Sequence, residues 1–320
     1  MEGESRVARK RQKKKFKKRW ILYSFMILMA SVIAYSVYEY NAGKKAALEK
    51  LELTDEQKEL SKEYMEDFKG VDDGLKRTNV LILGVDSRGE ARSRTDTIMI
   101  GQYDPEKETA KLVSIMRDSY VNIPGYGYNK INSAFVYGGP ELLRQTIKQN
   151  FGIDVEYYAI VDFQGFVHVV DTIAPDGVEL EVEKYMSKNI DVVLQPGLQK
   201  LNGEELLGYA RFRADKDGDW ARIQRQQKVM KVLKDEVVSF AGVMKLPRIV
   251  GTIQPYIDTN MKTSTIISLG SDFLLHPADI ETYSIPVREE SWDSSIPGIG
   301  SVIEFDEAQQ RQNIQTFLNN

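Results

Sequence analysis

The sequence predicts a three-layer α/β/α domain with a mixed central sheet, preceded by one transmembrane helix. Three observations carry this reading. Residues 20–38, from Trp20 to Tyr38, contain no charged side chain and directly follow ten Lys/Arg within residues 1–19. From residue 79 onward, short apolar runs alternate with segments of helical periodicity, the pattern of strands covered by helices. The first three of these runs lie too close together for parallel crossovers, so the sheet has to include antiparallel pairs.

Residues 20–38, as a helix rising ~1.5 Å per residue, reach about 28 Å, close to one hydrocarbon core. The basic block before it is expected to remain cytoplasmic, placing residues 39–320 outside the cell membrane. Ala34-Tyr35-Ser36 also offers the small-x-small pattern of a cleaved signal peptide. The apolar run continues to the length of a full span, which favours a retained signal-anchor. Read as a nucleic-acid patch, the basic block competes with a simpler role, orientation and contact with anionic lipid. Residues 39–78 are dense in charge, for example Lys44, Lys45, Glu49, Asp55, Glu56 and Lys58, with few apolar anchors. A solvated helical stalk is expected there. The predicted organisation is therefore a basic cytoplasmic tail at 1–19, a transmembrane helix at 20–38, a charged extracellular stalk at 39–78 and a globular domain at 79–320.

Within that domain, 79–85 reads as a buried strand ended by Asp86-Ser87-Arg88-Gly89. Strands at 97–103 and 110–116 follow, joined by the turn Asp104-Pro105-Glu106-Lys107. Pro140 is expected to open a helix that Gly152 closes. A strand at 155–161, a helix at 163–173 and a short strand at 180–182 come next. Helical patterns cover 202–213, 219–241 and 263–275, before a strand at 283–287 and a closing helix at 305–318.

Composition narrows the chemistry. Residues 39–320 hold 33 basic and 45 acidic side chains, the wrong balance for a generic nucleic-acid-binding domain. The absence of cysteine and the presence of only His168 and His276 exclude a disulfide framework, a thiolate zinc site, a cysteine nucleophile and a histidine-rich metal centre. There is no Gly-x-Ser-x-Gly elbow and no Walker-type loop. Catalysis then falls to carboxylates, arginines, hydroxyls and a hard, oxygen-liganded metal such as magnesium.

Three polar segments stand out. Residues 86–96 and Arg117-Asp118-Ser119-Tyr120 each follow a strand, where ligands usually sit in α/β sheets, and Lys130-Ile131-Asn132-Ser133 comes soon after the second. The third runs through Tyr209-Ala210-Arg211-Phe212-Arg213 to 219–227. There Asp219, Arg222, Arg225 and Gln226 recur at helical spacing and are expected to share one face. Asp215-x-Asp217-x-Asp219 has the spacing of a calcium loop. It fails as one, because Trp220 stands at the glycine position and Gln226 at the bidentate glutamate position. Several arginines with two separated aspartates, in an otherwise acidic domain, suit a diphosphate: guanidinium forks bind its oxygens while carboxylates hold a magnesium ion on it.

Seven segments together are recognisable: Asn79 to Asp86, Arg94-Thr95-Asp96, Met116-Arg117-Asp118, Lys130 to Ala134, Leu201-Asn202-Gly203-Glu204, Tyr209 to Arg213, and Asp219 to Gln227. In order and number they resemble the LytR-CpsA-Psr family, most of all its regulatory members, strongly over residues 79–240. The resemblance implies a membrane-anchored phosphotransferase of the Gram-positive envelope with its catalytic domain at 79–320. Its donor is an anionic glycopolymer, wall teichoic acid or capsule, on a polyprenyl diphosphate carrier, and its acceptor is peptidoglycan. It further implies Mg2+ at Asp86 and Asp96, and catalytic roles for Arg117, Asp96, Arg211 and Arg213. Diphosphate contacts are implied from Arg88, Arg94, Lys130, Arg222, Arg225 and Gln226. The motifs do not map the family's lipid pocket; Phe163, Phe166, Val167 and Val170 are the candidates for its wall, with ordinary core packing the competing reading. Membrane lipid is an expected partner and nucleic acid is not. Two other readings remain, a non-catalytic envelope regulator and a glycan-binding anchor. Alanine at Arg117, Arg211 or Arg213 is expected to impair transfer while leaving the melting temperature near wild type.

Overall fold

The computed structural model describes residues 2–49, 51, 54–86 and 95–320. Its elements run α1 (Glu2–Leu48), α2 (Asp55–Asp67), β1 (Thr78–Val85), β2 (Thr95–Asp104), β3 (Thr109–Ile115), the hairpin of β4 (Tyr120–Ile123) and β5 (Gly127–Lys130), and α3 (Ile131–Phe151). Then come β6 (Tyr157–Asp162), α4 (Phe163–Ile173), the hairpin of β7 (Val178–Val182) and β8 (Gly197–Leu201), α5 (Gly203–Arg211), α6 (Gly218–Ile253), β9 (Ile257–Thr259) and α7 (Thr263–Leu275). The chain closes with β10 (Ile280–Ile285), the hairpin of β11 (Ser291–Ile296) and β12 (Gly300–Phe305), and α8 (Glu307–Asn319).

Six strands form one mixed sheet in the order β10-β3-β2-β1-β6-β9. The expected antiparallel start is present: β1 pairs with β2, and β2 with β3, both antiparallel. The β2–β3 turn is set by Asp104, whose carboxylate accepts from the backbone N–H of Glu106 and Lys107 at 3.0 Å each. β6 and β10 join in parallel beside β1 and β3. This arrangement brings the ends of β1 and β3 and the start of β2 to one edge of the sheet.

Helices cover both faces. On one face Leu81, Leu83, Ile98 and Ile100 pack with Leu143, Ile147 and Phe151 of α3 and Ile314 of α8, all essentially inaccessible to solvent. A second core joins α4, α5 and α6 to the β7–β8 hairpin through Val170, Leu180, Leu206, Tyr209 and Val229. Local signals start these helices: the Asp162 carboxylate accepts from the Gly165 N–H at α4, and Asn202 and Glu205 form a capping box at α5. α3 begins at Ile131 rather than at Pro140; Gly138 and Gly139 break its geometry, and Pro140 restarts it. Of the three hairpins only part of β7 was anticipated, as the strand at 180–182; the β4–β5 and β11–β12 hairpins carry little apolar alternation and hence a weak sequence signal.

The N-terminal region differs most from expectation. α1 is one helix, and Trp20–Leu48 within it is long and apolar enough to cross a membrane, with a window of mean hydropathy 1.9. Its apolar side chains, among them Ile21, Phe25, Ile27 and Leu28, are exposed. Residues 39–78, however, are not a solvated stalk. The end of α1 lies against α6: an added Cβ would stand 2.5 Å from the Arg248 carbonyl at Gly43 and 2.1 Å from the Tyr40 carbonyl at Gly251. Only glycine allows this approach. The Tyr40 hydroxyl donates to Gln254 at 2.5 Å, and Arg248 pairs with Glu39 at 3.0 Å. α2, opened by a Thr54–Gln57 capping box, sends Tyr64 into the first core, as does Phe68 just beyond it. A few well-placed aromatics outweigh the high charge density that suggested a stalk, since their burial is favourable and the charges remain on the outer side.

Candidate active site

The polar centre forms at the sheet edge where β1 and β3 end and β2 begins. Gly84 lies opposite Thr97 and Val85 opposite Thr95, which leaves Asp96 as the extra residue of a β-bulge. A bulge of this kind re-aims a side chain, and the Thr95 hydroxyl braces it by bonding the carbonyls of Gly84 (3.0 Å) and Thr97 (2.7 Å). Asp96 meets the Arg117 guanidinium. Arg117 also contacts Asp118 at 3.3 Å and Asp219 at 3.1 Å, so three carboxylates surround one fork. Burial disfavours its charge, but Asp219 and Asp96 more than compensate and raise its pKa. Lys130, at the end of β5, completes the group through Asp118 at 2.7 Å.

α6 supplies the other wall. Its position is fixed by Gln227, whose side-chain N–H groups reach the Ser114 hydroxyl at 3.0 Å and the Tyr283 carbonyl at 3.1 Å. The adjacent Gln226 donates to the Thr97 hydroxyl at 2.9 Å, and about one turn before it Arg222 pairs with Asp219 at 3.1 Å. Arg222 is 6 % exposed, and its Nε–H is buried without a hydrogen-bond partner. Burial first, then the neighbouring cations Arg117 and Arg213, lower its pKa despite Asp219 and Asp96. A buried, unpaired donor among like charges marks a place suited to an anion.

Arg225 belongs elsewhere, contrary to the expected common face. At ~100° per residue it stands about 120° around the helix from Asp219. Its guanidinium donates to the Phe212 carbonyl at 2.9 Å and to Asp215 at 2.5 Å, clamping the loop before α6. Despite burial, Arg225 and Lys184 hold the Asp215 carboxyl below its usual pKa. Asp217 is likewise engaged by Arg288 at 2.9 Å, so all three aspartates of the calcium-like spacing are partnered by arginine. Buried, extended Phe212 leaves Arg211 and Arg213 on the open side. Arg211 pairs with Asp191 at 3.3 Å and lies 4.3 Å over the Phe163 ring. Phe163, Phe166 and Val167 on α4 are half-buried, whereas Val170 is fully buried core. α7 is similar: Ile266, Ile267, Leu269 and Phe273 are all only half-buried. Asp86 directly follows β1; Arg88 and Arg94 lie outside the described residues.

The LytR_cpsA_psr family model matches residues 35–316. The chain belongs to that family. The regulatory resemblance also holds: the chain is 42% identical over 289 residues to the regulatory protein MsrR of Staphylococcus aureus, covering 90% of this chain and 86% of MsrR. It is 33% identical to the Bacillus subtilis polyisoprenyl-teichoic acid–peptidoglycan teichoic acid transferase TagT, covering 83% and 85% of the two chains. The structure of TagT bound to LI-WTA superposes with a TM-score of 0.63 at 29% identity, over 79% of this chain and 93% of that one. A TagT structure with bound octaprenyl pyrophosphate lipid gives 0.59 at 28% identity, over 79% and 92%. The three-layer LytR-CpsA-Psr fold expected from the motifs is thus the fold observed. Asp118 and Asp219 are central to the arginine network, yet the sequence reading gave neither a site role, naming Asp219 only for its place on the expected helix face. Their signal was present, since each stands within a recognised motif, but ion-pair partners this far apart in the chain cannot be read from spacing.

Proposed function

We propose that this protein is a membrane-anchored phosphotransferase that moves an anionic glycopolymer from a polyprenyl diphosphate to peptidoglycan in the envelope of a Gram-positive bacterium. The observation that carries this reading is the unpaired, buried Nε–H of Arg222 beside Arg117 and Arg213. A diphosphate there relieves cation repulsion and satisfies the donor. The half-buried apolar side chains of α4 and α7 offer a surface for the polyprenyl chain, and Arg211 over Phe163 lies next to α4.

In the transfer, an acceptor hydroxyl oxygen bonds to the glycan-side phosphorus. The bond from that phosphorus to the bridging oxygen breaks, its electron pair leaves on the polyprenyl monophosphate, and the hydroxyl proton passes to a carboxylate. Arg117, Arg213 and Arg222 bind and orient the diphosphate oxygens, and their charge is worth most where phosphoryl transfer concentrates negative charge. Arg225 holds the 212–215 loop, which positions Arg213. Asp86 and Asp96, hard oxygen donors at one edge of the sheet, fit a magnesium ion by donor chemistry. Among the described residues no group of three or more His, Cys, Asp or Glu is placed to hold a metal ion, so a magnesium ion there would need phosphate oxygens and water as further ligands. Magnesium, when bound, supplies charge neutralisation on the diphosphate.

The purified full chain, given a polyprenyl-diphosphate-linked glycan and peptidoglycan, is expected to release polyprenyl monophosphate and join glycan to wall. Chelation is expected to abolish this, with recovery on adding magnesium. Full turnover under strong chelation would remove the metal from the reading. No release with any anionic glycan would instead favour the non-catalytic regulator that the MsrR name suggests.

The charge step between Arg19 and Trp20 assigns residues 1–19 to the cytoplasm and the domain to the outer side. Protease added to intact, wall-stripped cells is expected to digest the domain. Its protection would reverse the topology.

A further inference from the structure

A recess borders the arginine network. It is a cleft of about 490 Å3, within the range of ligand sites. Asp118, Lys130 and Asp219 line it, so it shares its floor with the Arg117 network. Its walls are Trp220 at the start of α6 and Trp292 on β11. These are two of the chain's three tryptophans; the third, Trp20, heads the membrane span. Trp220 packs against Met116, Ile223 and Ile303, and the Arg288 guanidinium lies 5.9 Å from its ring centre. Trp292 is 52% exposed, an unusual position for a large apolar ring without a ligand.

The β11–β12 hairpin that carries Trp292 stands outside the main sheet. It is tied to the reactive strand end, because the Ile303 N–H donates to the Asp118 carbonyl at 2.9 Å and Ser119 bridges Ile303. The cleft is therefore held in register with Arg117 rather than lying on an independent lobe. Its charges are largely compensated internally: Lys130 by Asp118, Arg288 by Asp217, and Asp219 by Arg117 and Arg222. Such a site lacks the buried, unpartnered guanidinium donor present at Arg222. It offers flat aromatic faces, hydrogen-bond donors and acceptors, and no strong net charge, which suits an uncharged or weakly charged pyranose chain.

We propose that this cleft holds the acceptor glycan, a chain of N-acetylated hexoses stacked on Trp292 and Trp220, with its reacting hydroxyl directed to Asp118 and Asp219. This rests on the transferase reading above and adds where the acceptor sits. The proton of the attacking hydroxyl passes to Asp118 or Asp219, the two carboxylates that both line the cleft and contact Arg117.

The test uses the full chain in detergent and a radiolabelled tetrasaccharide of alternating N-acetylglucosamine and N-acetylmuramic acid, measured by equilibrium dialysis. Saturable binding is expected, weakened at least about tenfold by Trp292→Ala and by Arg288→Ala. Octaprenyl diphosphate should raise the melting temperature of both variants as it does that of the wild type, which shows that the donor side and the fold are intact. Unsaturable binding, or equal affinity in Trp292→Ala and wild type, overturns the assignment. If the tetrasaccharide binds as expected but octaprenyl diphosphate does not bind at all, the transferase reading fails while the glycan cleft stands.

Discussion

Arg117→Ala is expected to lower transfer by at least about a hundredfold and to destabilise the domain as well. Two separate costs arise from one side chain. The first is catalytic: loss of a charge-assisted contact to phosphate removes ~1.5–3 kcal/mol, and loss of a preorganised donor at developing charge removes roughly 100- to 1000-fold in rate. The second is structural. Arg117 is the shared partner of Asp96, Asp118 and Asp219, and its side chain is only 18% exposed. Without it, three carboxylates face one another with Lys130 and Arg222 as the remaining cations. Removing one partner of a buried pair costs ~3–5 kcal/mol, and partial exposure puts this case toward the lower end. For a domain of this size, that is a fall of about 6–12 °C in melting temperature.

The near-wild-type stability expected from sequence therefore applies to exposed Arg213 and not to Arg117. Arg117→Lys separates the two costs. The ammonium keeps the charge and should restore most of the stability, while the missing planar fork leaves transfer impaired. Scanning calorimetry together with polyprenyl phosphate release measures both. Arg117→Ala turning over within about threefold of wild type would place the reacting phosphate elsewhere.

The second large effect is ligand-linked stability at Arg222. A diphosphate bound at 100 times its Kd stabilises the folded chain by ~2.7 kcal/mol, or about 5–10 °C for a domain of this size. Octaprenyl diphosphate is expected to produce such a shift, since it meets an unpartnered donor and the cations around it. Arg222→Ala should lose most of the shift. Its ligand-free melting temperature should change less than that of Arg117→Ala, because Asp219 keeps Arg117 as a partner and the repulsion between Arg222 and Arg117 is relieved. An undiminished ligand shift in Arg222→Ala would rule out the surroundings of Arg222 as the diphosphate site.

Much of the architecture was legible because it depends on local pattern. The apolar run of β1, the Asp104 turn and the α4 and α7 periodicities each report on a few neighbouring residues, and each element formed where expected. The hairpins were not legible, since β4–β5 and β11–β12 take their stability from contacts such as Ile303 to Asp118 rather than from their own composition. Residues 39–78 show the opposite error. Their charge is obvious in sequence, but Tyr64 and Phe68 matter only once α3 and β6 provide a core to receive them.

The sequence by itself determined the family, a helix long and apolar enough to cross a membrane, the strands and helices of the core, and the kind of chemistry available: guanidinium forks and carboxylates with no thiol and little imidazole. Only the tertiary structure decided which of those groups meet. It turned Asp96 by a bulge that exists only in the pairing of β1 with β2, rotated Arg225 away from Arg222, and brought Arg222 to a backbone oxygen 126 positions distant. It also brought two tryptophans distant in the chain to the lining of one cleft. The physical reason is range: hydrophobic period and turn propensity act over a few residues and leave a mark in the sequence, whereas an ion pair depends on ångström-scale separations set by how whole elements pack.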